Sequence, residues 1–144
     1  MSGTGGHKEN RRQARVAAVQ ELYGREMRGT LEGEESPATQ RDGELPPFAR
    51  TLLDRTLAQL PDIDRLLSVA LQNWDLRRLG AVDRAVLRTA VGEMLAQPDI
   101  PAAVTINEAI EIARSLGSGE SARFANGVLD RVRKELGRDP RATV

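Results

Sequence analysis

The sequence predicts an all-α fold, a packed helical bundle, on three observations. Apolar residues recur at spacings of three and four along most of the chain, no stretch alternates as a strand would, and prolines and glycines punctuate the periodic segments. All seven prolines (Pro37, Pro46, Pro47, Pro61, Pro98, Pro101, Pro140) fall between those segments or in a first turn, where a missing N–H is tolerated. At 144 residues and 40% hydrophobic content, the chain is one domain's worth with enough apolar material for a core. Residues 11–137 read as that domain, between tails 1–10 and 138–144.

Taken in order, residues 11–28 place Val16, Val19, Tyr23 and Met27 at spacings of 3, 4 and 4, the stripe of an amphipathic helix. The acidic segment 29–46, with its Gly and Pro, reads as a loop. Pro47 opens a helix to about Gln59 with Phe48, Leu52, Leu53 and Leu57 inward, and Pro61 opens another through Leu66, Leu67, Ala70 and Leu71. A short helical turn, 76–79, ends at Gly80. From Ala81 to Ala96, Val82, Val86, Ala90 and Met94 recur every four residues with Leu87, Val91 and Leu95 beside them, which makes this the central, most buried helix. Thr105 and Glu108 have capping-box spacing and predict a helix from Ile106 to Leu116 that stops at Gly117. The last helix, about 120–136, turns Ala125, Leu129, Val132 and Leu136 inward, keeps Phe124 and Val128 at the edge, and stops at Gly137. Gly127 within it implies another backbone passing close by.

Composition narrows function before any motif does. Cysteine is absent, which excludes disulfides, thiolate zinc sites and cysteine nucleophiles and fits a reducing cytoplasm. The only histidine, His7, lies in a Gly-rich tail, so an enzyme is the less favoured class. No run of about 18 apolar residues occurs and the first ten residues lack an apolar signal core, so neither membrane insertion nor secretion is expected. No cofactor, phosphate-loop or metal motif is present. The 21 basic and 21 acidic residues cancel, but unevenly: residues 1–30 sum to +3 and residues 31–45 to −4. A local basic patch can still bind an anion.

Arg11, Arg12 and Arg15 occupy about a 100° arc of one helix start, where they oppose the positive end of the helix dipole. Two readings are open: a solvated basic turn, or a phosphate site whose guanidinium forks also stack on unpaired bases. Phe124, one of four aromatics, adjoins Arg123 near a helix start; it is either a core-edge residue or a base-stacking platform. Glu108 and Glu111 resemble a carboxylate pair but have no imidazole or metal partner, and the cap role claims Glu108.

Three blocks then carry a resemblance. RRQARVAAVQELY at 11–23, NWDLRRLGAVDRAVLRTAVGEML at 73–95 and PAAVTINEAIEIARSLGSGESARFANGVLD at 101–130 resemble, in order and separation, those of the NusB family of bacterial transcription antitermination factors. The resemblance implies about seven helices in two three-helix-like halves, no catalysis and no cofactor. It implies binding of the boxA element of ribosomal RNA leaders together with a small-subunit ribosomal protein, NusE, alongside other Nus factors and RNA polymerase in the cytoplasm. It assigns RNA binding to Arg11, Arg12, Arg15, Arg123 and Phe124, and the ribosomal-protein interface to Tyr23 and Asp83. By the same resemblance Gln13 falls at a family-typical arginine position, which implies a thinner basic patch. The alternative is a helical RNA-targeting or protein-interaction module in ribosomal RNA maturation, acting as a homodimer in one variant of that reading. A detached targeting domain of an RNA methyltransferase is disfavoured, since no glycine-rich cofactor strand is present.

Overall fold

The computed structural model describes residues 11–31, 45–138 and 141; the tail 1–10, most of the 29–46 loop and most of the tail 138–144 lie outside them. Six α-helices and one 3-10 turn make up the described chain: α1 Arg11–Arg28, α2 Pro47–Ala58, α3 Leu60–Leu71, the 3-10 turn Leu76–Arg78, α4 Ala81–Ala96, α5 Ala102–Leu116 and α6 Gly119–Glu135. The all-α reading holds, and among the described residues a count of seven is reached only by including the 3-10 turn.

Helix α4 is the axle. It packs against each of the other five helices, and every residue from Arg84 to Met94 is buried. Its apolar residues on two flanks dictate this, because a helix with no fully polar face must be surrounded. Val86, Leu87, Val91 and Met94 join Leu22, Leu53, Ile63, Leu67, Leu71, Val128, Leu129 and Val132 in one core. A smaller cluster, Ala14, Ala18, Ala49 and Leu52, seals α1 to α2.

The polar residues hidden in α4 orient α1. Glu93 near its C-terminal end meets Arg15 near the start of α1, while Arg84 near its N-terminal end meets Glu26 near the end of α1. The two helices therefore run antiparallel, with a charge pair at each end of the seam. Arg88, between them, forks onto Asp64 of α3 at 2.9 Å for both bonds.

Several expectations are corrected. Helix α5 begins at Ala102 after Pro101, not at Ile106. Thr105 is buried inside it and donates to the Glu93 carboxylate at 2.9 Å, so it forms no capping box. The stripe of α1 is rotated: Ala14, Arg15, Ala18, Val19, Glu21 and Leu22 are buried, whereas Tyr23 and Met27 are exposed. Alanines lining the α2 contact, and charged residues buried by their partners, displaced the larger apolar ones. Val128, expected at an edge, is fully buried. Gly127 meets no backbone; a Cβ there would touch only the tip of Arg131. The close approach is at Gly92, where a Cβ would lie 2.2 Å from Thr56 Oγ1 of α2.

Candidate nucleic-acid interface

The first turn of α1 carries the arginines expected to hold an anion, and each has a different environment. Arg11 is exposed, with its guanidinium carbon 4.3 Å from the Phe48 ring centroid, a cation–π distance. Arg12 has a side chain 60% exposed and forks onto Glu108 of α5, Nε to Oε1 at 2.7 Å and Nη2 to Oε2 at 2.9 Å. That bond is the main cause holding the Glu108 carboxyl below its ordinary pKa, against an opposing contribution from burial.

Arg15 lies deeper in the same cluster, its guanidinium carbon 5.3 Å from the Phe48 centroid and its Nη1 4.0 Å from Glu108 Oε1. It is 6% exposed and donates Nε to Glu93 Oε1 at 2.8 Å and Nη2 to Glu93 Oε2 at 2.7 Å, with Glu93 itself 1% exposed. Arg15 is therefore held in a core ion pair rather than presented to solvent. The reason is geometric: one turn past Arg11, the α1 face that carries Ala14 and Ala18 has rolled against α2 and α4. The dipole penalty that suggested an external anion is offset for two of the three arginines by carboxylates from α4 and α5.

The other candidates collect at the opposite end of the bundle. From Glu108 to Leu116, α5 advances about 12 Å before the chain bends at Gly117 and re-enters as α6. Gly117 fits that bend because a Cβ would press on the Ala113 carbonyl at 2.9 Å. Ser118 then caps α6, accepting from the Ser121 N–H at 3.1 Å. This brings Phe124 to a groove of about 470 Å³ whose walls include Trp74, Arg78, Asp83, Glu120 and Ser121. Phe124 is half-buried: it packs on the core and also meets Trp74 edge to face, centroids 6.2 Å apart.

Asp83 shares the groove, and Arg123 is exposed beside Phe124 on α6. Tyr23 is exposed on α1, one turn from the more exposed Met27. It is close to this end of the bundle, since Glu26 pairs with Arg84 next to Asp83. The expected residues thus form two separated surfaces, Arg11 with Arg12, and Arg123, Phe124 and Asp83. The sequence reading missed Glu108 and Glu93 as arginine partners and Trp74 as a groove wall. For Trp74 a signal existed: a lone tryptophan in a polar Asn-Trp-Asp bend, where no core periodicity accounts for it. Among the described residues, no group of acidic or imidazole side chains is arranged to hold a metal ion, and no helix is long and apolar enough to cross a membrane.

Comparison with known proteins accords with this architecture. The NusB family model matches residues 12–134. A transcription antitermination protein NusB from Exiguobacterium sp. is 44% identical over 126 residues, spanning 87% of this chain and 98% of that protein. A crystal form of T. maritima NusB superposes with a TM-score of 0.72 at 39% identity, covering 87% of this chain and 91% of that one. A chain from a crystal structure of the antitermination factors NusB and NusE with double-stranded RNA gives a TM-score of 0.71 at 21% identity, covering 88% and 98%, and bears on the fold alone. With both its sequence and its helical arrangement matched over most of its length, the chain belongs to the NusB family.

Proposed function

We propose that this chain is a non-enzymatic transcription antitermination factor of the cytoplasm. It binds boxA RNA of ribosomal RNA leaders together with the ribosomal protein NusE, and acts with other Nus factors on RNA polymerase. The observation that carries this reading is the exposed Arg11–Arg12 turn on a chain whose relatives are named transcription antitermination proteins. In this reading Arg11 and Arg12 contact phosphates, Phe124 and Arg123 contact the RNA at the groove, and Tyr23 and Asp83 face NusE. The exposed apolar pair Tyr23 and Met27 supports a protein partner at that end.

The charge balance shapes the mechanism. A neutral domain gains little from long-range attraction to RNA, and a few phosphate contacts bind weakly and salt-sensitively. Joint binding with NusE couples the two sets of contacts and raises the affinity of each. Co-purification with NusE on immobilised boxA RNA, against a scrambled oligonucleotide, tests the proposal. Retention on boxA should be strong with NusE, weak without it, and lost on the scrambled sequence. Equal retention on both oligonucleotides would contradict it.

A further inference from the structure

Trp74 is the largest side chain in the described structure that the helical core does not use. It is 61% exposed, and the backbone around it is firmly placed. Helix α3 ends at Leu71, the following Gln72 adopts a left-handed φ of 58°, and the Trp74 N–H returns to the Leu71 carbonyl at 3.1 Å. Asp75 caps the 3-10 turn by accepting from the Arg77 N–H at 2.9 Å, and Arg84 donates to the Leu79 carbonyl at 2.6 Å, tying the far end of the segment to α4. An exposed indole on a backbone anchored at both ends is poised to bind rather than to flap.

We propose that Trp74 and Phe124 form a two-plane corner that takes one unstacked nucleobase of the single-stranded RNA, with Trp74 as a stacking platform in its own right. The proposal rests on the RNA-binding reading above and adds a residue and a geometry to it. The two rings meet at 75°, so neither stacks on and covers the other's face. A flat base entering the corner stacks on one ring and meets the other with its edge, an arrangement that suits the quadrupoles of all three. The groove is of the size that small ligands occupy.

Charge sets the orientation. The carboxylates of Asp83 and Glu120 line the groove and disfavour a phosphate inside it, whereas exposed Arg78 on the wall and exposed Arg123 beside Phe124 favour a phosphate outside. A nucleotide satisfies both by entering base first. A basic peptide would meet Arg78 and Arg123 as like charges, so RNA is the better match of the two polymers.

Because Trp74 is the only tryptophan in the chain, its emission reports on this groove alone. Wild-type protein should lose fluorescence on titration with single-stranded boxA RNA, with the same midpoint as binding followed by anisotropy of a labelled oligonucleotide. Trp74→Ala should weaken RNA binding by roughly 5- to 150-fold, the value of one stacked base, with NusE binding and helicity unchanged; Trp74→Phe should keep most of the affinity. Two results would overturn the proposal: RNA binding without any change in emission and undiminished in Trp74→Ala, or a Trp74→Ala variant that loses NusE but retains RNA. Failure of the wild-type protein to bind RNA with or without NusE would overturn the broader functional reading as well, and so is distinguishable from failure of the Trp74–Phe124 corner alone.

Discussion

Replacing Arg15 by alanine should destabilise the fold by about 3–5 kcal/mol, as expected when one partner of a buried ion pair is removed and the other is left uncompensated. Glu93 would keep only the Thr105 hydroxyl at 2.9 Å, in a site 1% exposed. Truncation at residue 15 removes both guanidinium bonds that this carboxylate accepts between α1 and α4. Chemical denaturation of the single variant, and of a double variant with Arg15→Met and Glu93→Met, measures this. The double variant should recover much of the loss, because apolar side chains of similar volume replace such pairs at little net cost. A single variant as stable as wild type would mean that Arg15 is not held as described. Loss of RNA binding in Arg15→Ala alone would accordingly say nothing about a phosphate contact, since it would report a loosened α1.

The second large effect is expected at Gly92. A methyl group there would sit 2.2 Å from Thr56 Oγ1 and 3.4 Å from the Thr56 Cα, so α2 and α4 must separate or Thr56 must be displaced. Overpacking of this kind costs about 1–3 kcal/mol, against which the better helix propensity of alanine returns up to about 1. Gly92→Ala should therefore be net destabilising in thermal or urea unfolding. Thr56 Oγ1 is buried without a hydrogen-bond partner, so adding Thr56→Ala removes the clash without breaking a bond and should restore most of the loss. If Gly92→Ala proves stabilising, the two helices do not approach as closely as described.

These two sites also show where sequence reasoning reached and where it stopped. Helix positions were legible because proline, glycine and apolar spacing act locally. The bounds of α1, α2 and α4 lie within a residue of those expected, and the centrality of α4 followed from its apolar flanks. What local pattern cannot convey is which partner arrives from elsewhere in the chain. Arg12 and Arg15 are three residues apart on one helix turn, yet one faces solvent beside Glu108 and the other is buried against Glu93, 78 residues away. Thr105 had the spacing of a cap but its hydroxyl was claimed by that same glutamate. Likewise, the close approach expected at Gly127 occurs at Gly92, because any glycine permits a near backbone and only the packing decides which one has it. The groove of Trp74 and Phe124 needed the chain to bring two segments 50 residues apart in sequence to within 6.2 Å of each other.

In the proposed function, RNA binding rests on a small exposed patch in which Arg12, and not Arg15, meets phosphate. The salt dependence of boxA affinity in the presence of NusE tests it most directly, since each phosphate neutralised on a single strand contributes about 0.7 to the slope of log K against log salt. Arg12→Ala should lower both the affinity and that slope by about one phosphate contact while leaving the melting temperature nearly unchanged. The refilled Arg15→Met, Glu93→Met variant should keep the wild-type slope. The opposite pattern, a slope unchanged in Arg12→Ala and reduced in the refilled variant, would contradict the account.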